Sequence, residues 1–193
     1  MSWEMKKRNW SDTVVTISTA IFAVVSLVSV FISVTTWQAQ REAARPYFTF
    51  KESPSINLRA DQLSFEFKFN NVGTHPAINL SSKTIVFDET LLEEPILVDD
   101  YTVVNAIPRE TTTSLLLSLK HTDFSKADIN PQLVVIGLSY TDPITRRAYT
   151  QTIYTKWAGV IAQKTQPLIH IEASQKPKIL SYLQSRHLMK GED

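Results

Sequence analysis

Thr13–Trp37, TVVTISTAIFAVVSLVSVFISVTTW, runs for twenty-five residues without one charged side chain. At about 1.5 Å of rise per residue, a helix of that length spans about 37 Å, more than the roughly 30 Å hydrocarbon core of a bilayer. Trp10 and Trp37 bracket the run, and indole rings settle at the headgroup level of either leaflet. A core helix of a soluble protein keeps a charged stripe towards water, and this run has none. The stretch predicts a transmembrane helix over 13–37, with the lipid bilayer as its first partner.

Residues 1–12 form a basic tail carrying Lys6, Lys7 and Arg8. A cleaved signal peptide also starts basic, but its apolar segment is about 7–15 residues long and ends at a small-x-small cleavage site. Neither feature is present here. After Trp37 the segment 38–45, QAQREAAR, reads as the same helix running out of the membrane until Pro46 stops it. The expectation is therefore an uncleaved, single-pass signal-anchor. Arg41, Arg45 and Lys51 nearly balance the basic residues of the tail. A short basic tail is awkward to translocate, which leans the N-terminus to the cytoplasm and the larger domain outside it. The absence of cysteine excludes disulfides, thiol catalysis and zinc–thiolate sites, and fits either compartment.

Within the anchor, Thr19, Ala23, Ser26, Ser29, Ser33 and Thr36 recur at steps of three and four. Small and hydroxyl side chains therefore share one helix face, where backbones of neighbouring helices approach closely in lipid. That face marks a second copy of the chain or another membrane protein as partner. The competing reading is that these hydroxyls bond back to their own helix carbonyls.

Residues 46–172 read as one all-β domain. In Gln62–Asn70, QLSFEFKFN, Leu63, Phe65, Phe67 and Phe69 alternate with polar residues, so one face is buried and the other wet. Further strands are expected at 47–51, 78–87, 96–104 and 111–119. A hairpin is expected from 132–140 through Asp142-Pro143 to 148–157, with a last strand or edge at 168–171. That number of short strands at ten-residue spacing predicts an antiparallel β-sandwich of immunoglobulin-like or Greek-key type. Residues 173–193 follow as a short amphipathic helix and tail. Ile179, Leu180, Leu183 and Leu188 lie at helical spacing, among Lys176, Lys178, Arg186 and Lys190. Its expected place is against its own domain.

Three stretches taken together, ARPYFTF, FNNVGTHPAINL and YTDPITRRAY, resemble a group of uncharacterised bacterial single-pass membrane proteins with a C-terminal β-sandwich-like domain. The matching positions are Asn71, Val72, Gly73, Pro76 and Ala77, then Tyr140, Asp142 and Tyr149; Thr145 stands where that group usually has glycine. The resemblance implies this architecture in a bacterial inner membrane, and it implies no activity. Read from its residues, the first motif is turn chemistry, since Asn71 and Gly73 tolerate left-handed backbone and Pro76 withholds a donor. A ligand-binding rim with His75 at its tip is the competing reading.

Catalytic chemistry has no visible seat. There is no Gly-x-Ser-x-Gly elbow, and His75, His121, His170 and His187 sit in unrelated contexts with no metal-ligand spacing. Four glycines in the whole chain leave no phosphate-cradling loop, and a net charge of +1 without a basic, aromatic-laced stripe speaks against nucleic acid. No enzyme and no cofactor are expected. Asp88, Glu89, Glu93, Glu94, Asp99 and Asp100 crowd one acidic segment. It reads as a solvated connection that blunts a sheet edge, or as a docking patch for a basic partner. Clustered carboxylates also suit Ca²⁺, but the alternating Asp-x-Asp loop is missing. The expected function is a membrane-anchored, non-catalytic interaction module, an accessory subunit of a larger membrane complex. The alternative is a sensor domain of a membrane effector, in a stress or anti-phage response, whose ligand alters how the membrane helices associate.

Overall fold

In a computed structural model that describes residues 3–59, 62–120, 128–162 and 164–189, the uncharged run lies within one helix, α1 (Trp3–Ala43). The helix thus already includes most of the basic tail and continues past Trp37 to Ala43. Pro46 follows its end; proline has no N–H to give and holds the preceding Arg45 out of helical backbone. From Trp10 to Ala43 the helix is long and apolar enough to cross a membrane, and it is the one such helix among the described residues. Its large apolar side chains, Phe22, Leu27 and Phe31 among them, are exposed. Thr16, Thr19, Ser29, Ser33 and Thr35 each donate to a carbonyl three or four residues earlier in the helix, at 2.8–3.1 Å. Their hydroxyl protons are satisfied without a second helix.

Met1–Ala44 and Arg45–Asp193 are two compact units. The second is built from β1 (Phe48–Phe50), β2 (Ser55–Arg59), β3 (Gln62–Asn71), β4 (Ile78–Asp88), β5 (Leu97–Val103) and β6 (Thr112–Lys120). These are followed by β7 (Gln132–Asp142), β8 (Arg147–Trp157), β9 (Val160–Ile161), β10 (Lys164–Thr165), β11 (Leu168–His170) and the helix α2 (Lys176–Ser185). The ladders are antiparallel. In the smaller sheet β3 pairs β6 along one edge and both β1 and β2 along the other. Those two are one strand interrupted beside Pro54, which cannot donate to a ladder. The larger sheet has the order β11-β8-β7-β4-β5.

The alternation in β3 is realised: Leu63, Phe65, Phe67 and Phe69 are buried between half-exposed polar neighbours. They share one core with Val134, Ile136, Leu138 and Trp157 of the larger sheet. Rings organise it, with Phe65 edge-on to Trp157 at 5.3 Å between centroids and Phe50 stacked on Phe69 at 5.2 Å. The other face of the larger sheet carries a second cluster, in which Ile85, Phe87, Leu133 and Val135 meet Ile179, Tyr182 and Leu183 of α2. Strands β4 and β7 are therefore covered on both faces there, which accounts for the unbroken apolar run LVVI in β7. β2 was not foreseen, because two apolar residues, Ile56 and Leu58, are too short a period to read. His121, Lys190 and Gly191 lie outside the described residues.

Candidate functional site

The β unit begins at Arg45, and the residues that receive the incoming strand form a densely bonded polar cluster. Asn71, the last residue of β3, is fully buried. Its side-chain oxygen accepts the N–H groups of Tyr47 at 3.2 Å and Gly73 at 3.1 Å. Its amide nitrogen donates to the carbonyls of His75 at 2.9 Å and Ile107 at 3.2 Å. One side chain thus joins the incoming strand, the β3–β4 turn and the β5–β6 loop. Buried polar groups are held this way because each orphaned N–H or C=O would be costly.

Three further contacts fix the same incoming segment. The Tyr140 hydroxyl donates to the Pro46 carbonyl at 3.0 Å, while its ring packs edge-on against Phe48 at 5.1 Å. Gln151 holds Phe48 as a neighbouring strand would, its oxygen accepting the Phe48 N–H at 3.1 Å and its nitrogen donating to the Phe48 carbonyl at 2.6 Å. The Arg45 guanidinium lies over the Tyr149 ring, 5.5 Å from its centroid. Gly73 is required by this approach: a Cβ there would stand 2.2 Å from the Arg45 carbonyl oxygen and 2.7 Å from Cα of Pro46. The glycine had been read as a turn residue. Its role is to let another stretch of backbone lie against it.

Beside this clasp, His75 Nδ1 meets Asp142 Oδ2 at 2.7 Å. The other Asp142 oxygen accepts the N–H groups of Ile144 at 2.8 Å and Thr145 at 3.2 Å, closing the β7–β8 turn. Asp142 is fully buried. Burial pushes its carboxyl up, but the His75 contact and the two amides outweigh that and hold it below the ordinary aspartate range. A group depressed in the folded state stabilises the fold above its unfolded pKa, about 3.9, and that stabilisation is lost as pH falls through the folded value. Asp142→Asn is therefore expected to be less stable than the parent at neutral pH. The difference should shrink in chemical unfolding as pH falls through the folded-state value, on the acid side of the ordinary aspartate range.

The carboxylates of the acidic segment have different surroundings. Glu89 pairs with Lys156, Glu94 with Arg186, and the Glu93 carbonyl accepts from the Tyr182 hydroxyl at 2.6 Å. Asp88 caps its own turn, accepting from the Thr90 N–H at 2.9 Å. Asp99 and Asp100, neighbours on the edge strand β5, sit opposite Thr84 and Lys83 and point to opposite faces of the sheet. Among the described residues no group of three or more His, Asp or Glu side chains is placed to hold a metal ion. The proposed membrane face of Thr19, Ala23, Ser26, Ser29 and Ser33 lies on α1, within Met1–Ala44.

A model of DUF8453, a domain of unknown function, matches residues 13–161, and the chain belongs to that family. The match runs from the uncharged helix through β9, so helix and β unit are both part of what defines the family. No curated protein matches the chain. Solved structures similar to it include a protein from Bordetella pertussis described as ApaA, at 11% identity, covering 63% of this chain and 99% of that one with a TM-score of 0.47. A structural-genomics target called SoR45 is 10% identical, covering 60% and 86%, with a TM-score of 0.38. OgpA from Akkermansia muciniphila is 7% identical, covering 66% and 30%, with a TM-score of 0.34. None of these likenesses bears on what this chain does.

Proposed function

We propose that this DUF8453 protein is a membrane-anchored, non-catalytic interaction module, an accessory subunit held at the membrane by α1. The observation that carries the reading is the helix from Trp10 to Ala43 with its exposed apolar side chains, which water solvates poorly and lipid solvates well. The clasp supports it. Only Ala44 separates the last helical residue from Arg45, and the segment after it is bonded at Pro46, Tyr47 and Phe48. A long flexible tether would let a domain search; here the first residues of the β unit are bonded into that unit, which leaves little free linker after Ala44. The β unit is read as a β-sandwich of immunoglobulin-like order, with β1/β2-β3-β6 facing β5-β4-β7-β8 across the shared core.

On this reading the face of Thr19, Ala23, Ser26, Ser29 and Ser33 is where a second copy or another membrane protein packs. Because Thr19, Ser29 and Ser33 already bond within the helix, the contact would rest on close backbone approach. Ser26→Leu with Ser33→Leu is expected to lower the particle mass of the protein in mild detergent, whereas Val25→Leu with Ile32→Leu keeps it. Both pairs leave the helix apolar and insertion intact. An unchanged mass for the serine pair removes the helix from the interface.

The sensor alternative has one feature in its favour. On the outer face of the larger sheet, beyond the part that α2 covers, lies a groove of about 530 Å³ lined by Ser81, Lys83, Asp100, Ser139, Thr152 and Met189. Its walls mix polar with apolar side chains, Leu138 and Leu188 among the latter, and it is large enough for a small ligand. A ligand that protects the full chain against unfolding, and loses that effect with Lys83→Ala, would move the function there.

A further inference from the structure

We propose that the end of the β unit carrying Arg45 is a docking surface for an anionic phospholipid bilayer. Four segments meet at that end: the incoming chain, the β3–β4 turn, the β5–β6 loop and the β7–β8 turn. They are tied to one another by Asn71, by the paired backbones of Ala77 and Ile107, and by His75 with Asp142. Each presents a large apolar side chain to the outside: Tyr47 is 44% exposed, Val72 49%, Val104 89% and Ile144 62%. One exposed aliphatic is ordinary on any protein surface. Four on the adjoining segments of one end of a domain, in turns where polar residues would serve, form a surface that calls for a partner.

Charge names the partner. The same end holds Arg109 and Arg146, both exposed, and Arg147. Among the described residues nothing pairs with Arg146, whose neighbour in the turn is Ile144. Of the nearby carboxylates, Asp142 is buried against His75 and Glu110 is paired with Arg109 at 3.2 Å. At the opposite end the β4–β5 connection carries Asp88, Glu89, Glu93 and Glu94. Glu89 and Glu94 there are paired with Lys156 and Arg186, so the unpaired Arg146 at the Arg45 end is the charge that an anionic surface attracts.

The tether selects the same end. This step rests on α1 spanning the bilayer. The helix from Trp10 to Ala43 has 34 residues. Such a length covers about 50 Å, against about 40–45 Å for a bilayer with its headgroups. Arg45 directly follows Ala44 in the chain, so the end of the β unit that carries it is the end tethered nearest the headgroups. Short apolar side chains at the acyl boundary with guanidinium groups among the phosphates are how peripheral elements lie on lipid.

The chain contains no cysteine, so single cysteines can carry an environment-sensitive fluorophore without further substitution. The full chain, labelled in turn at Phe22→Cys, Ile144→Cys and Leu92→Cys, is reconstituted into vesicles of phosphatidylcholine alone or with one third phosphatidylglycerol. Quenching by lipids spin-labelled near the headgroup and deep in the chain reads the depth of each site. Phe22 should be quenched by the deep label in both vesicles. Ile144 should be quenched by the shallow label in anionic vesicles and much less in neutral ones, and Leu92, among the carboxylates, in neither. Arg146→Gln should reduce the docked fraction reported by Ile144 about fivefold and leave Phe22 unchanged. A solvent-exposed Ile144 beside a quenched Phe22 overturns the lipid surface and leaves the patch to a protein partner. Equal quenching of Ile144 in both vesicles, or of Ile144 and Leu92, overturns the anionic surface as well. An unquenched Phe22 overturns the spanning helix itself.

Discussion

Phe67→Ala is expected to lower the stability of the β unit by about 3–5 kcal/mol, and Glu66→Ala by less than about 0.5 kcal/mol. Phe67 is fully buried in the middle of β3, lies opposite Leu115 of β6, and stacks at 5.9 Å on Phe50 and at 6.1 Å on Phe65. Truncation removes its share of the aromatic row and leaves a cavity that the two flanking rings cannot fill without leaving their rotamers. Glu66 points the other way, its carboxylate meeting Ser55 and Lys68. Domains of this size are stable by about 5–15 kcal/mol, so the first substitution removes a large fraction and the second almost none. Denaturant unfolding of the full chain in detergent, followed by near-ultraviolet circular dichroism, separates them. Equal losses would mean that the two faces of β3 are not differently buried.

That contrast was legible because it depends on neighbours in sequence. A period of two in β3 and an uncharged run in α1 are local patterns, and each places its residues without knowledge of the rest of the chain. The same holds for Pro46 as the stop after the helix. The clasp is different in kind. Asn71 reaches Tyr47 across 24 residues, His75 reaches Asp142 across 67, Tyr140 reaches Pro46 across 94, and Gln151 reaches Phe48 across 103. No local pattern encodes such pairs, so Asn71 and Gly73 read as turn residues and His75 as either a bend or a rim. The sequence motifs centred on Asn71 and Tyr140 were picked out separately, and the fold brings them to one place.

The acidic segment shows the converse limit. Closeness in sequence suggested one patch, but strand geometry sends Asp99 and Asp100 to opposite faces, and Lys156 and Arg186 arrive from β8 and the end of α2 to pair with Glu89 and Glu94. A run of like charges in a sequence says nothing of the cations that the fold will bring to it. β7 shows the same limit on the apolar side. Its unbroken apolar run did not reveal that α2 covers the outer face, because a strand buried on both sides and a stretch of core helix look alike at that length.

Asn71→Ala is expected to be nearly as damaging as loss of the core phenylalanine, although it removes only one small polar group. It orphans the Tyr47 and Gly73 N–H groups and the His75 carbonyl at once, while the Ile107 carbonyl keeps the Ala77 N–H. Each buried group left without a partner costs about 1–3 kcal/mol, and water entering the vacated space recovers part of that, giving a net loss of about 2–5 kcal/mol. Asn71→Asp separates the two halves of the effect: it keeps the acceptor for Tyr47 and Gly73 but loses the donor to His75 and Ile107 and buries a charge. Both variants should weaken the hold on Tyr47 before the rest of the domain responds. Hydrogen exchange of the full chain in detergent should therefore show Tyr47, Phe48 and Val72 amides losing protection more than those of β7 and β8. Phe67→Ala should instead loosen the two sheets together, since Phe67 lies in the core they share. If Asn71→Ala spared the Tyr47 and Val72 amides, the junction would be held by Tyr140 and Gln151 alone. The polar hub would then be a feature of the β3–β4 turn, with no part in fixing the incoming strand.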